Sequence, residues 1–251
     1  MADYNIVSLN SGNLMNEHIC CALAKDKKNT EGVMLKKNWL RDRFEDGLIF
    51  KKFDVQGKAF IEYIPAENSW RPVIAPGYIM IHCLWVSGSF KGKGSGTKLL
   101  EECLNDAKGK NGVAIVTSNK PYMPEKKLFL KNGFEVSDTA FHFELLVKRF
   151  NDAPMPTFTE KAKKGIIEHD KGLVIEHSDQ CPFVSYYIKE MEQVACQHGL
   201  PAEIIKVTNK EKAQNSASPY GTFGVFYNGK FLSHEIMSQS KFEKLLKEVL
   251  G

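Results

Sequence analysis

Apolar and polar positions along this chain repeat with two different periods, and the alternation between them outlines the elements. Leu48–Phe53 and Lys58–Ile64 are short β-rich runs joined by a turn around Val55-Gln56-Gly57, which reads as a strand pair. Tyr78–Val86, YIMIHCLWV, follows Gly77 and is nearly continuous in apolar residues, the mark of a buried strand. Further on, Leu99, Leu100, Cys103, Leu104 and Ala107 recur at helical spacing, so a helix follows the glycines at 92, 94 and 96. Val113–Ser118 reads as another strand and Glu125–Lys131 as a short helix. A strand pair then begins at Gly133-Phe134 and reaches Val147. Upstream, Asn16–Ala24 and Lys36–Asp46 read as helices, the second closed by Gly47 as C-cap.

The pattern changes at Asn151–Lys164, NDAPMPTFTEKAKK, where two prolines, several lysines and few large aliphatics predict a linker. A second series follows: strand Leu173–Glu176, helix Phe183–His198, strand Glu203–Val207 and a short helix Lys210–Asn215. A hairpin of Thr222–Tyr227 and Lys230–His234 turns at Asn228-Gly229, and helix Lys241–Leu250 closes the chain. The expected organisation is α/β (α+β): a mixed-sheet domain over residues 1–150, a linker over 151–164 and a small βαβ–ββα domain over 165–251.

Composition narrows the function classes. The 251 residues are 43% hydrophobic and 25% charged, ordinary for a soluble globular protein with a real core. No apolar run reaches membrane-spanning length, and MADYNIVSLN lacks a basic-then-apolar leader, so a cytoplasmic protein with no membrane partner is expected. The formal net charge of +4 comes from scattered lysines interleaved with acids, which does not call for nucleic acid. The six cysteines, at 20, 21, 83, 103, 181 and 196, have no paired zinc spacing. They read as free thiols, those at 20, 21 and 83 as buried ones, and no metal is expected.

The stretch FKGKGSGTKLLEECLNDA, Phe90–Ala107, carries the first chemistry. Glycines free backbone N–H groups to face an anion, and a helix start adds orphan N–H donors and a positive dipole end. The spacing departs from the dinucleotide fingerprint and lacks the Walker ending. With its context, LWVSGSFKGKGSGTKLLEECLNDA resembles the acetyl-CoA motif of the GNAT acetyltransferase superfamily: a strand ending in hydrophobic-x-Val, then Gln/Arg-x-x-Gly-x-Gly/Ala opening a helix. Leu84-Trp85-Val86, Lys91, Gly94 and Gly96 match it. Downstream, FLKNGFEV resembles the superfamily's closing motif through Lys131, Gly133 and Phe134, and the paired likeness covers roughly Tyr4–Arg149.

The resemblance implies a splayed central sheet and acetyl-CoA as co-substrate. Leu84, Trp85 and Val86 would pair with the pantetheine arm. Lys91, Gly92, Lys93, Gly94, Ser95, Gly96 and Thr97 would hold the pyrophosphate. The acceptor would be a small-molecule or peptide amine that attacks the thioester directly, and the oligomeric state is left open. The superfamily's thiolate-protonating tyrosine falls at Phe129, so either another group, such as Tyr122, or water supplies the proton, or catalysis is weak. Glu62, Glu67 and His82 are the candidate bases. Glu62 comes first because alternation puts it on one face with Phe60 and Ile64. Trp70 and Arg71, in the loop ENSWRPVIAP, either cap an acceptor, with Arg71 facing its carboxylate, or pack as surface structure.

In the last third, Asp179-Gln180-Cys181-Pro182-Phe183 follows a strand and opens a helix, with Pro182 suited to the first helical position. This part resembles the thioredoxin superfamily, specifically the YoaP-like domain. Val184 stands where a second cysteine would complete the redox pair. Cys196 lies 15 residues further along, about 22 Å down the same helix. Alignment of FYNG places Gly221 where that superfamily has a cis-proline. Two readings stay open: a monothiol or thiol-ligand site at Cys181, and a scaffold that holds a substrate or partner. For the whole chain, the leading expectation is an N-acetyltransferase. The alternatives are a CoA-binding module with weak or lost chemistry and a redox protein acting through Cys181.

Overall fold

The computed structural model describes residues 4–19, 27–55, 57–169 and 171–251. Its elements in chain order begin with strand β1 (Ile6–Ser8), helix α1 (Thr30–Phe44), β2 (Ile49–Phe53), β3 (Ala59–Pro65), β4 (Val73–Ile74) and β5 (Tyr78–Val86). Helix α2 (Ser95–Asp106), β6 (Gly112–Ser118), α3 (Lys126–Lys131), β7 (Glu135–Ala140) and β8 (Phe143–Arg149) follow. Then come β9 (Thr157–Phe158), α4 (Glu160–Lys164), β10 (Leu173–His177), α5 (Val184–Gln197), β11 (Ala202–Lys206) and α6 (Lys210–Gln214). β12 (Phe223–Tyr227), β13 (Lys230–Ser233) and α7 (Gln239–Leu250) end the chain.

The chain divides into two compact units. One comprises Met1–Lys25, Lys37–Ser69 and Val73–Phe158, and the other Asp26–Lys36, Trp70–Pro72 and Thr159–Gly251. Two short internal segments thus group with the C-terminal third. Within the expected linker over 151–164 the chain forms β9 and α4, and Thr159 caps α4 by accepting from the Ala162 N–H.

The first unit is built on a seven-stranded sheet in the order β1-β2-β3-β5-β6-β8-β7. Neighbours are antiparallel except β5 and β6, which run parallel with α2 as their crossover. The stripe of α2 is buried as its spacing requires: Leu99, Leu100 and Cys103, with Ala107 just beyond, pack on Ile61, Tyr63, Ile79, Ile81 and Leu84 of the sheet. Each such leucine is worth about 1.5–3 kcal/mol of burial. Gly47 ends α1 at φ +86, and the Leu48 N–H returns to the Arg43 carbonyl. Asn16 ends a turn and Glu17–Ile19 run irregularly rather than as the expected helix, whose remainder, with Cys20 and Cys21, lies outside the described residues. Cys83, expected to be buried, is half-buried.

The second unit carries a four-stranded sheet in the order β11-β10-β12-β13. β10 and β11 are parallel, and the other pairs are antiparallel. Asn228 and Gly229 take φ +46 and +77, the primed turn that their sequence predicts for a two-residue hairpin. Leu173, Ile175, Phe223 and Val225 meet Ile188, Met191 and Val194 of α5 and Phe242 and Leu246 of α7 to form its core.

Candidate active site

Residue pairing explains how a cleft opens in a continuous sheet. β5 and β6 are bridged from Tyr78–Gly112 to Ile81–Ile115 and no further, although β5 runs on to Val86. Beyond that point the two parallel strands diverge, and the space between them leads to the glycine loop. A cleft of about 530 Å³ occupies this place. Leu84, Trp85, Val86 and Ser87 line one side, Met123, Pro124, Glu125, Lys127, Leu128 and Lys131 the other, and the loop from Gly88 to Thr97 its end.

The loop is shaped by backbone that side chains rarely tolerate. Gly88, Gly92 and Gly94 sit at φ +63, +76 and +80, and Gly94 is the N-cap of α2. The α2 start then presents its first N–H groups without intrahelical acceptors. Gly96 is needed for contact: a Cβ there would lie 3.1 Å from Leu128 Cδ2 across the cleft. Phe90 fixes the loop's beginning by packing edge-on to Tyr4, at 5.3 Å between ring centroids. Of the residues expected to hold the co-substrate, the structure gathers Leu84, Trp85, Val86, Lys91, Gly92, Gly94, Ser95, Gly96 and Thr97 around the cleft. Lys93 is exposed beside it without lining it. Sequence reasoning missed Met123-Pro124, whose proline just before α3 was the available signal, and the charges of Lys127 and Glu125.

The expected acid–base residues are placed elsewhere. Glu62 pairs with Cys83 across β3 and β5 and Tyr63 with Ile81, so His82 is the extra residue of a β-bulge. His82 Nδ1 lies 3.2 Å from Glu62 Oε1, with both side chains essentially buried. When the carboxylate is ionised, the Nδ1–H donates. Trp39 of α1 lies alongside, 6.1 Å from the imidazole. Neither residue lines the 530 Å³ cleft, though β5 enters it two residues after His82. Tyr122 precedes the lining residue Met123, at φ +66 and half exposed. Glu67 is exposed and accepts the Gly77 N–H at 2.6 Å. Phe129 is fully buried in the α2 core, edge-on to Phe134 at 5.4 Å.

Trp70 and Arg71 belong to the second unit and are buried. Arg71 Nη1 donates to Gln180 Oε1 and Thr222 Oγ1, each at 2.7 Å. Cys181 is half-buried and forms no disulfide. It sits in the turn before α5, where the Val184 N–H returns to its carbonyl at 3.2 Å. The helix itself begins at Val184, so Pro182 belongs to that turn rather than to the first helical position. Among the described residues no cluster of His, Cys, Asp and Glu is arranged to hold a metal, and no helix is long and apolar enough to cross a membrane.

Comparison with known proteins bears on both units. A model of the acetyltransferase (GNAT) family matches residues 13–134, and a YoaP-like family model matches residues 201–244. Over 246 residues the chain is 38% identical to the uncharacterized N-acetyltransferase YoaP of Bacillus subtilis strain 168, spanning 96% of this chain and 97% of that one. Among solved structures, it resembles the PaiA N-acetyltransferase of Thermoplasma acidophilum in complex with coenzyme A. Identity there is 17%, coverage 59% of this chain and 99% of that one, and the TM-score 0.42. A GNAT acetyltransferase of Brucella melitensis in complex with acetyl-CoA gives 15% identity, 63% and 95% coverage and a TM-score of 0.41. Glycine loop, splayed strands and near-full-length identity to YoaP agree: the chain belongs to the GNAT family of N-acetyltransferases and carries a YoaP-like C-terminal segment.

Proposed function

We propose that the cleft between β5 and β6 binds acetyl-CoA and that the protein transfers the acetyl group to an amine of a small molecule or peptide. The observation that carries this reading is the loop itself. Left-handed glycines and the start of α2 turn backbone donors toward one end of the cleft, with Lys91, Lys127 and Lys131 around it. A pyrophosphate suits those donors and charges. The strand Leu84–Val86, released from β6, has backbone groups free for the pantetheine amides.

In the transfer step the acceptor ammonium first loses a proton. The Glu62–His82 pair is the base we assign, with Glu62 holding the imidazole and sharing the proton. The neutral amine forms a bond to the thioester carbonyl carbon, and the C–S bond breaks as the tetrahedral adduct collapses. The adduct nitrogen sheds its second proton as the amide forms, and the departing thiolate takes one from Tyr122 or from water, which the shed proton replaces. Phe129 has no proton to give and faces the core, which supports a second reading in which CoA binding is retained and turnover is slow. For the second unit, the parallel β10–β11 pair beside the β12–β13 hairpin supports a thioredoxin-like reading. With Val184 at the second-cysteine position, that unit would act without a disulfide cycle.

Thermal unfolding with acetyl-CoA tests the proposal. At about a hundred times the dissociation constant, mass action adds about 2.7 kcal/mol, or roughly 5–10 °C in a protein of this size. Gly94→Glu, which adds a negative charge at a φ of +80, should abolish the shift. Lys91→Glu, on an exposed side chain, should reduce it without that backbone strain. A folded wild-type protein that shows no shift refutes both the transfer and the CoA-binding readings.

A further inference from the structure

The second unit contains a three-residue segment from far upstream, enclosed by side-chain and backbone contacts. Trp70, Arg71 and Pro72 group with Thr159–Gly251 while the residues on either side of them do not. All three are buried, Trp70 and Arg71 to 1% and 3% exposure. They lie against two loops at one end of the sheet: residues 178–181 after β10 and 220–222 before β12. The Ser178 N–H donating to the Thr222 carbonyl at 3.0 Å ties those loops together.

Recognition of the segment reads residue by residue. The Arg71 guanidinium donates from Nη1 to Gln180 Oε1 and Thr222 Oγ1, and to its own neighbour, the Trp70 carbonyl, at 3.1 Å. The Thr222 hydroxyl in turn donates to Gln180 Oε1, so the two acceptors are held together. The guanidinium carbon lies 5.0 Å from the centre of the Tyr220 ring, which itself packs on His234. A planar cation that stacks on a ring face while donating from its edge is specific to arginine; a lysine ammonium has no such plane. Gly221 makes room for the backbone. At φ +73, a Cβ on it would meet the Trp70 carbonyl oxygen at 2.7 Å, Pro72 Cδ at 3.1 Å and Arg71 Cα at 3.3 Å. The Pro72 carbonyl accepts the Thr159 N–H at 2.9 Å.

We infer that the second unit is a peptide-recognition surface whose occupant is the chain's own Trp70-Arg71-Pro72 segment. Arg71 is its anchor and the Gly221-Thr222 loop its floor. In sequence, the segment lies between β3, which bears Glu62, and β5, which bears His82. This inference stands apart from acetyl transfer, and its test uses no acetyl-CoA.

Hydrogen–deuterium exchange on the full-length protein reads it directly. Thr222→Val keeps the side-chain shape and removes the hydroxyl; Arg71→Lys keeps the charge and removes the planar guanidinium. In each variant, amide exchange over residues 69–75 and 178–184 should rise about tenfold or more, while β6 and β8 exchange as in wild type. Two variants guard against one that folds poorly. Unchanged exchange over 69–75 in both, or a rise of equal size along the whole chain, overturns the inference.

Discussion

His82 follows Ile81, the partner of Tyr63 on the α2 side, so alternation turns it to the other face of the sheet, where Glu62 also points. The extra residue of the bulge returns Leu84 to the α2 side, to which strict alternation would not bring it. The pair is buried on the face of β3 that also bears Phe60 and Ile64, away from the α2 core. Glu62→Gln preserves the shape and leaves a weaker partner for the imidazole. We expect acetyl transfer to fall about a hundredfold, a usual size for a lost acid–base group, with the acetyl-CoA thermal shift unchanged. Full activity across pH in this variant, assayed on an amine accepted by the wild type, would remove Glu62 from the mechanism. The face that Glu62 occupies was legible from alternation. Its partner was not, because the register of β3 against β5 leaves no mark in a run as apolar as YIMIHCLWV.

At the scale of elements, β10 shows how burial turns into pH dependence. Glu176 lies on this strand, and burial pushes its carboxyl pKa up. A hydrogen bond from Ser216 Oγ at 3.1 Å and the charge of Lys161 oppose the rise without cancelling it. A carboxyl raised in the folded state favours folding below its unfolded pKa, and that contribution is lost as pH rises through the folded value. Glu176→Gln should therefore melt above wild type at pH 7, and the difference should shrink toward zero near pH 4, where the wild-type carboxyl is protonated in both states. A difference that is constant with pH, measured by melting temperature across that range, would contradict this.

Other elements show which signals reached the sequence level. The helix after the glycine loop and the Asn228-Gly229 hairpin were legible because spacing and turn chemistry agree with the packing. The start of α1 at Thr30 was not, because Gly32 reads as a helix breaker. It is there for contact instead: a Cβ on it would sit 1.9 Å from the Pro182 carbonyl oxygen. The strand and helix within 151–164 were hidden in the same way. Two residues of β9 pairing with two of β4 leave no period to read.

For the molecule as a whole, the 38% identity to YoaP of Bacillus subtilis runs over 246 residues and so takes in sequence from both units. The site is legible in unequal parts. Nine of the expected co-substrate residues surround one cleft because they are contiguous in sequence, on one strand end and one loop. Arg71 was read from sequence as a candidate for an acceptor carboxylate. The structure instead places its guanidinium on Gln180 and Thr222, partners more than a hundred positions away that no local pattern reveals.

The central claim is that the cleft between β5 and β6 holds acetyl-CoA by its pyrophosphate. The most direct measurement is a crystal structure of the full-length protein grown with saturating acetyl-CoA. The account expects the pyrophosphate oxygens within hydrogen-bond distance of backbone N–H groups between Gly92 and Thr97, and the pantetheine arm alongside Leu84–Val86. A ligand bound elsewhere with this loop empty, or an empty cleft at saturation, would contradict it.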